Sequence, residues 1–309
     1  MRDLTEDNVT EAVLAKIDAK DNPRLQQILV SVITHLHAFA REVKLTPDEL
    51  FEAARFLTEV GKISDEKRHE FLLLSDTMGL TILVDAMQNR KPPAATESSV
   101  LGPFYRANAP EVENGDLIDR GDTGGDPTVV HGTVKDLNGT AIEGALLDIW
   151  QATQQGLYEN IDPSQPDMNL RGRLRTDDNG EYQFRTVLPA SYPIPDDGPA
   201  GRLLHLCNRH NMRPGHVHFI VSADGFKPVT TEIFVEGDDY LNSDAVFGVK
   251  DSLVAQLIKS DSAEDAAKWG MPTPFHEMRY DFVLEPGEGD ARPGFSAGTG
   301  GDRSRRLPH

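Results

Sequence analysis

The hydrophobic pattern changes period near residue 90, and any fold for this chain must bury a helical stripe on one side of that point and strand faces on the other. Leu25, Ile28, Leu29, Val32, Ile33, Leu36, Ala40 and Val43 recur at helical spacing. Thr46-Pro47-Asp48-Glu49 then reads as a capping box with proline at the first helical position. The helix it starts turns Leu50, Ala53, Ala54 and Leu57 inward, with Gly61 as its expected C-cap. Ser64 is expected to cap a third helix that runs through Leu72, Leu73 and Leu74 to about Met87. His35 and His37 lie on the first stripe's helix, where rings two residues apart diverge by about 200° and make a poor ligand pair.

Asn89 to Ser98 reads as a linker, and beyond it strands and turns take over. Val129–Asp136 and Ala145–Trp150 read as strands, followed by a hairpin of Arg171–Thr176 and Glu181–Val187 around Asp177-Asp178-Asn179-Gly180. His216–Ser222 and Val229–Val235 follow on either side of Asp224-Gly225. Lys250–Lys259 is expected as a short helix, and Met278, Tyr280, Phe282 and Leu284 alternate as a last strand. The fold class is therefore mainly β with an α module: a helical N-terminal domain over residues 1–98, an antiparallel β-sandwich over 99–285, and a flexible tail over 286–309 rich in Gly, Pro, Asp and Arg. The segments 160–170 and 189–214 are too long for simple turns, and loops of that length usually carry function.

Composition narrows the partners. A formal charge of −19 disfavours nucleic acid and anionic membranes, and no run is long and apolar enough to span a bilayer. One cysteine, Cys207, excludes an intrachain disulfide and reads as a packing residue. The acidic, polar N-terminus lacks a signal-peptide pattern, so a cytoplasmic location is expected.

Within this frame the chemistry gathers between Ser191 and Phe219. His216 and His218, two apart in a β-branched run, fall on one face of a strand and form a metal clamp or a hydrogen-bonded structural pair. Tyr158, in Gly156-Leu157-Tyr158, and Tyr192 read as amphipathic rim residues or as oxygen ligands. Two tyrosines with two histidines would be a hard donor set, and ionising a phenol of reference pKa about 10 requires a Lewis acid of the strength of Fe(III). Three rivals share these residues: a cupin-like site with two histidines and a nearby carboxylate, a zinc hydrolase using His205 or His210 as third ligand, and a transthyretin-like binding module without a redox metal. Asp224 sits at the wrong strand parity for the first, and the second leaves both tyrosines without a role.

Leu101-Gly102-Pro103-Phe104-Tyr105, Gly156-Leu157-Tyr158, Tyr192-Pro193-Ile194-Pro195 and Arg213-Pro214-Gly215-His216-Val217-His218 together resemble the signatures of the intradiol ring-cleaving dioxygenases. The likeness runs in order from the helical module to about Leu284, and Met168–Gly172 with Ser243–Val249 resemble its hydroxyquinol 1,2-dioxygenase branch. The resemblance implies one non-haem Fe(III) per subunit on Tyr158, Tyr192, His216 and His218. It implies catalytic roles for Arg213 and Tyr192, and cleavage of hydroxyquinol (1,2,4-trihydroxybenzene) by O2, with catechol or a chlorocatechol as the alternative substrate. It implies a substrate pocket of Leu73, Asp76, Val100, Leu101, Gly102, Pro103, Phe104, Ile194, Pro195, Arg213, Glu232 and Val246. It also implies a homodimer through the N-terminal helices with phospholipid at the interface. Glu232 departs from the glutamine usual in catechol enzymes, and near a dianionic ring it would need protonation or a partner such as Arg213.

Overall fold

The computed structural model describes residues 2–65 and 68–288; most of the expected tail, residues 289–309, lies outside them. By contacts the chain forms two compact units, Met1–Glu59 and Val60–His309.

The first unit is helical. After α1 (Val9–Leu14), α2 (Pro23–Glu42) starts at Asn22, whose side chain accepts from the Leu25 N–H at 3.0 Å. α3 (Pro47–Ile63) opens on the expected box: the Thr46 N–H donates to Glu49 at 2.8 Å, and the Glu49 N–H donates back to Thr46 Oγ1 at 3.3 Å. Gly61 does not end this helix, which continues two residues past it. The α2 stripe stays uncovered within the chain, with Val32, Leu36 and Phe39 at least half exposed.

In the second unit the expected third helix is two: α4 (Glu70–Thr77) and α5 (Leu80–Gln88). Gly79, at φ +74°, turns the chain between them, a conformation that Gly adopts without Cβ strain. The N-cap of α4 is His69 and not Ser64, although Ser64 Oγ accepts from the Glu70 N–H at 3.2 Å. The fully buried Glu70 carboxylate pairs with Arg68 at 2.9 Å and accepts from the Ala200 N–H at 3.0 Å, tying α4 to a later helix.

The strands are β1 (Pro127–Asp136), β2 (Leu146–Gln151), β3 (Arg171–Arg175), β4 (Glu181–Val187), β5 (Tyr192–Pro193), β6 (Met212–Arg213), β7 (His216–Ser222), β8 (Val229–Val235), β9 (Val254–Ala255), β10 (Leu257–Ser260), β11 (Phe275–Arg279) and β12 (Phe282–Leu284). Two further helices, α6 (Pro199–Leu206) and α7 (Ala263–Trp269), went unread in the sequence. One sheet orders β10-β11-β1-β12 with β4 also on β1; the other orders β3-β2-β7-β8-β9; β5 and β6 pair apart. Their inner faces share one core, including Val130, Phe184 and Phe282 from the first sheet and Ile149, Phe219 and Ile233 from the second. This is the mainly-β sandwich with an α module read from the sequence. Parallel pairings occur where β11 and β12 meet β1 and where β9 meets β8.

Three expected elements differ. Arg171–Thr176 and Glu181–Val187 do not form a hairpin: β3 pairs with β2 and β4 with β1, so the turn between them crosses from one sheet to the other. Positive φ falls on Gly180 (+72°) and not on Asn179, while the Asp177 carboxylate accepts from the Asn179 and Glu181 N–H groups. Residues 250–259 form a 3-10 turn (Asp251–Leu253) and two edge strands in place of a helix. The last alternating run breaks at Tyr280, whose N–H donates to the His131 carbonyl at 3.0 Å between β11 and β12. Cys207, expected inside, is exposed just after α6. Among the described residues no helix is long and apolar enough to cross a membrane.

Candidate metal centre and its surroundings

Alternation along the second sheet separates core from site. Val217, Phe219 and Val221 enter the sandwich core, so His216, His218 and Ile220 face the other way. Register then sets one row across four strands: Arg171 opposite Trp150, Trp150 opposite His218, His218 opposite Glu232. All four are buried. The Trp150 ring stacks flat on His218, with centroids 4.7 Å apart and planes at 5°, which fixes the imidazole plane.

Two loops bring the tyrosines to this row. Gly156, at φ +78°, lies so close to Tyr192 that a β-carbon there would meet the Tyr192 side chain, so the turn before Tyr158 packs directly on the other tyrosine. The two phenol rings lie edge to face with centroids 5.8 Å apart. Phe104 stacks on Tyr158 at 4.5 Å, and Gly102 leaves only the room of a missing side chain beside His218 Cε1. Tyr192 is held by the β5–β6 pair, in register with Arg213.

The polar atoms converge. His218 Nε2 lies 3.2 Å from His216 Nε2 and 3.1 Å from Tyr158 Oη. His216 Nδ1 donates to the Pro214 carbonyl at 2.7 Å, so the ring lone pair is on Nε2. Burial, and then Arg213, depress the His216 pKa; burial, and then His216, depress that of His218 strongly, so both imidazoles are neutral donors near pH 7. Burial raises both tyrosines, Tyr158 further through Tyr192, while Arg213 partly offsets the rise at Tyr192. A neutral imidazole nitrogen with a second imidazole nitrogen and a phenol oxygen each within 3.2 Å of it, beside a second buried phenol, suits a shared cation that would also ionise the phenols. The donor set therefore fits a metal ion.

Glu232 also lies near, its Oε1 at 3.5 Å from both histidines, and His216, His218 and Glu232 can by themselves enclose a cation. Glu232 lies 14 residues past His218, beyond the span of a local histidine–carboxylate motif. A hairpin centred on Gly225 sets residue 232 opposite 218, and that symmetry was available in the sequence. Its oxygens, however, are already engaged: Oε1 accepts from Arg213 Nη1 at 2.7 Å, and Oε2 from Arg213 Nη2 at 2.9 Å and from Ser99 at 3.0 Å. The third histidines of a zinc site are elsewhere: His205 is exposed and 3.3 Å from Asp196, and His210 accepts from the Met212 N–H and packs on Tyr240.

Of the other residues expected to line a pocket, Leu73, Asp76, Val100, Phe104, Ile194 and Val246 are buried, while Leu101, Gly102, Pro103 and Pro195 are half-buried. Burial pushes Asp76 up to about 6, and the charges of Arg213, Glu232 and Asp244 all act on it. Sequence reasoning missed Asp244, which takes Arg213 Nε at 3.0 Å and Nη2 at 3.1 Å. It also missed Ser99, Trp150 and the buried Arg171–Glu159 pair at 2.7 Å. Trp150 was legible as the residue ending a buried strand; the pairing of Asp244 with Arg213 depends on a loop that no local pattern predicts.

Comparison with known proteins places this architecture. Residues 100–286 match the family model described as "Dioxygenase", and residues 22–96 the one described as "Catechol dioxygenase N terminus". A hydroxyquinol 1,2-dioxygenase of Rhizobium sp. is 44% identical, covering 91% of this chain and 96% of its own. A 6-chlorohydroxyquinol 1,2-dioxygenase of Cupriavidus pinatubonensis is 39% identical over 93% of this chain and 99% of its own. Among solved structures, hydroxyquinol 1,2-dioxygenase from Pseudomonas putida superposes with a TM-score of 0.85 at 43% identity, covering 91% of this chain and 99% of that one. Catechol 1,2-dioxygenase from Pseudomonas arvilla reaches 0.79 at 32% identity, covering 91% of each. With both family models matched in order and such relatives spanning nine-tenths of its length, the chain belongs to the intradiol ring-cleavage dioxygenases.

Proposed function

We propose that this protein cleaves hydroxyquinol with O2 between its vicinal hydroxyl-bearing carbons to 3-hydroxy-cis,cis-muconate, which tautomerises to maleylacetate. The relatives named for hydroxyquinol support the substrate. The observation that carries the chemistry is the approach of His216 Nε2 and Tyr158 Oη to His218 Nε2, at 3.2 and 3.1 Å, with Tyr192 packed on Tyr158. We assign Tyr158, Tyr192, His216 and His218 as ligands of non-haem Fe(III). Ferric iron would bind the vicinal diol as a dianion and draw electron density from the ring, opening it to O2. Tyr192 is the residue assigned to take one diol proton at Oη: burial raises its pKa, Arg213, opposite it in register, partly offsets the rise, and a bound metal ion would ionise it. The buried aromatic and aliphatic side chains around the centre exclude water, and Asp76 accepts from the third hydroxyl of the ring.

Glu232 and Arg213 form a two-armed pair, which removes the repulsion a lone carboxylate would exert on a diolate. Initial rates on hydroxyquinol, catechol and chlorinated catechols, measured side by side, test the substrate. Hydroxyquinol is expected to have the highest kcat/KM, and a higher value for catechol would reassign the enzyme while leaving the mechanism intact.

Residues 1–98 are assigned as the dimerisation module, supported by the uncovered apolar stripe of α2. Phospholipid at that interface is part of the same reading, and organic extraction followed by mass spectrometry checks it.

A further inference from the structure

We infer that Asp244 is a positioning residue that aims one N–H of Arg213 into the site. The inference rests on the function proposed above. A guanidinium carries five N–H bonds in a fixed plane. Asp244 takes Nε and one N–H of Nη2; Glu232 takes the other N–H of Nη2 and one of Nη1. The fifth, on Nη1, faces His216 Nε2 at 3.3 Å. A metal ion on His216 would claim that lone pair, leaving this N–H for a substrate oxygen. Charge balance does not explain the arrangement, because Glu232 alone already pairs the guanidinium and a second buried carboxylate costs desolvation.

Asp244 is itself fixed. It accepts from the Val246 N–H at 3.3 Å and the Gly248 N–H at 2.9 Å. A β-carbon on Gly248 would come within 2.8 Å of Glu232 Oε2 and 2.9 Å of Arg213 Nη2, so the segment closes tightly over the cluster. Rotation of the guanidinium about its Cδ–Nε bond would break all four carboxylate contacts. With Asp244 removed, only the two-armed pair with Glu232 remains, and the plane can hinge about it.

A double-mutant cycle on the iron-loaded protein tests this, with Asp244→Asn, Arg213→Met and the double variant assayed on hydroxyquinol. Asp244→Asn is expected to lower kcat about 10- to 100-fold with KM changed less than about threefold, and to add no further loss in the Arg213→Met background. The same four proteins, metal-free, give a second reading by thermal unfolding. Arg213→Met leaves two facing carboxylates and lowers the midpoint, and adding Asp244→Asn restores part of it. Additive losses in kcat, or an Asp244→Asn enzyme within about twofold of wild type, overturn the inference. Asp244→Ser replaces Asp244→Asn in the cycle if the latter does not fold, with the same expected pattern. A wild-type enzyme inert on every diol would overturn the functional reading and this inference together, whereas additivity in an active enzyme overturns the inference alone.

Discussion

At the scale of the residue, Asp76 shows how burial and chemistry meet. Burial holds its carboxyl near 6, against 3.8 for the free group, so the folded chain binds that proton more tightly than the unfolded one. Stability contributed at this position therefore falls as pH rises from about 4 through 6. Asp76→Asn removes the penalty: urea unfolding of the metal-free variant should show a gain of up to about 3 kcal/mol at pH 8 and almost none near pH 4. An equal gain at both pH values would contradict the assignment. If Asp76 also meets the third hydroxyl of the ring, Asp76→Ala narrows the preference for hydroxyquinol over catechol. An unchanged ratio of kcat/KM values would exclude that role. The two tyrosines, two histidines and Arg213 were legible in the sequence because each sits in a short run whose neighbours constrain it. The partners of Arg213 were half legible: Glu232 follows from hairpin symmetry, whereas Asp244 arrives from a loop 31 residues away.

At the scale of the element, small residues decide what can approach what. Gly248→Ala would press a methyl against Arg213 and Glu232, and is expected to cost about 1–3 kcal/mol in stability and to lower kcat. Gly180→Ala makes a contrasting control. Its φ of +72°, and a Val134 carbonyl only 2.7 Å from where the added methyl would sit, predict a stability loss of the same order with kcat unchanged. Chemical denaturation and initial rates on the two variants separate the effects, and an inactive but stable Gly180→Ala would refute the distinction. The turn at 177–180 also shows why element type was read correctly and pairing was not. Its Asp and Gly signal a reversal, but nothing local says whether the returning strand joins the same sheet or crosses to the other. Residues 250–259 misled for a related reason: nothing local announces the parallel pairing of Val254 with Phe234 that makes Val254 and Ala255 an edge strand.

At the scale of the whole molecule, the period switch near residue 90 separates α1 to α5 from the strands, while the compact units divide earlier, between Glu59 and Val60, and α6 and α7 fall among the strands. The α2 stripe was also legible, and its exposure supports the proposed dimerisation. Val32, Leu36 and Phe39 stay at least half exposed, which matches a face covered by a second copy. Sedimentation equilibrium should give twice 34.1 kDa for the wild type and the monomer mass for Leu36→Asp combined with Phe39→Asp. A monomeric wild type would remove the dimerisation role.

The central claim is a ferric centre held by two tyrosinates and two histidines. Its most direct test is the visible spectrum of the iron-loaded protein, recorded for the wild type, Tyr158→Phe, Tyr192→Phe and Glu232→Gln. Tyrosinate-to-iron charge transfer should colour the wild type red to brown, with the band weakened or shifted in each tyrosine variant and retained in Glu232→Gln. A colourless protein at full iron loading, or iron lost in Glu232→Gln but held unchanged in both tyrosine variants, would contradict it and point to a site of two histidines and one carboxylate.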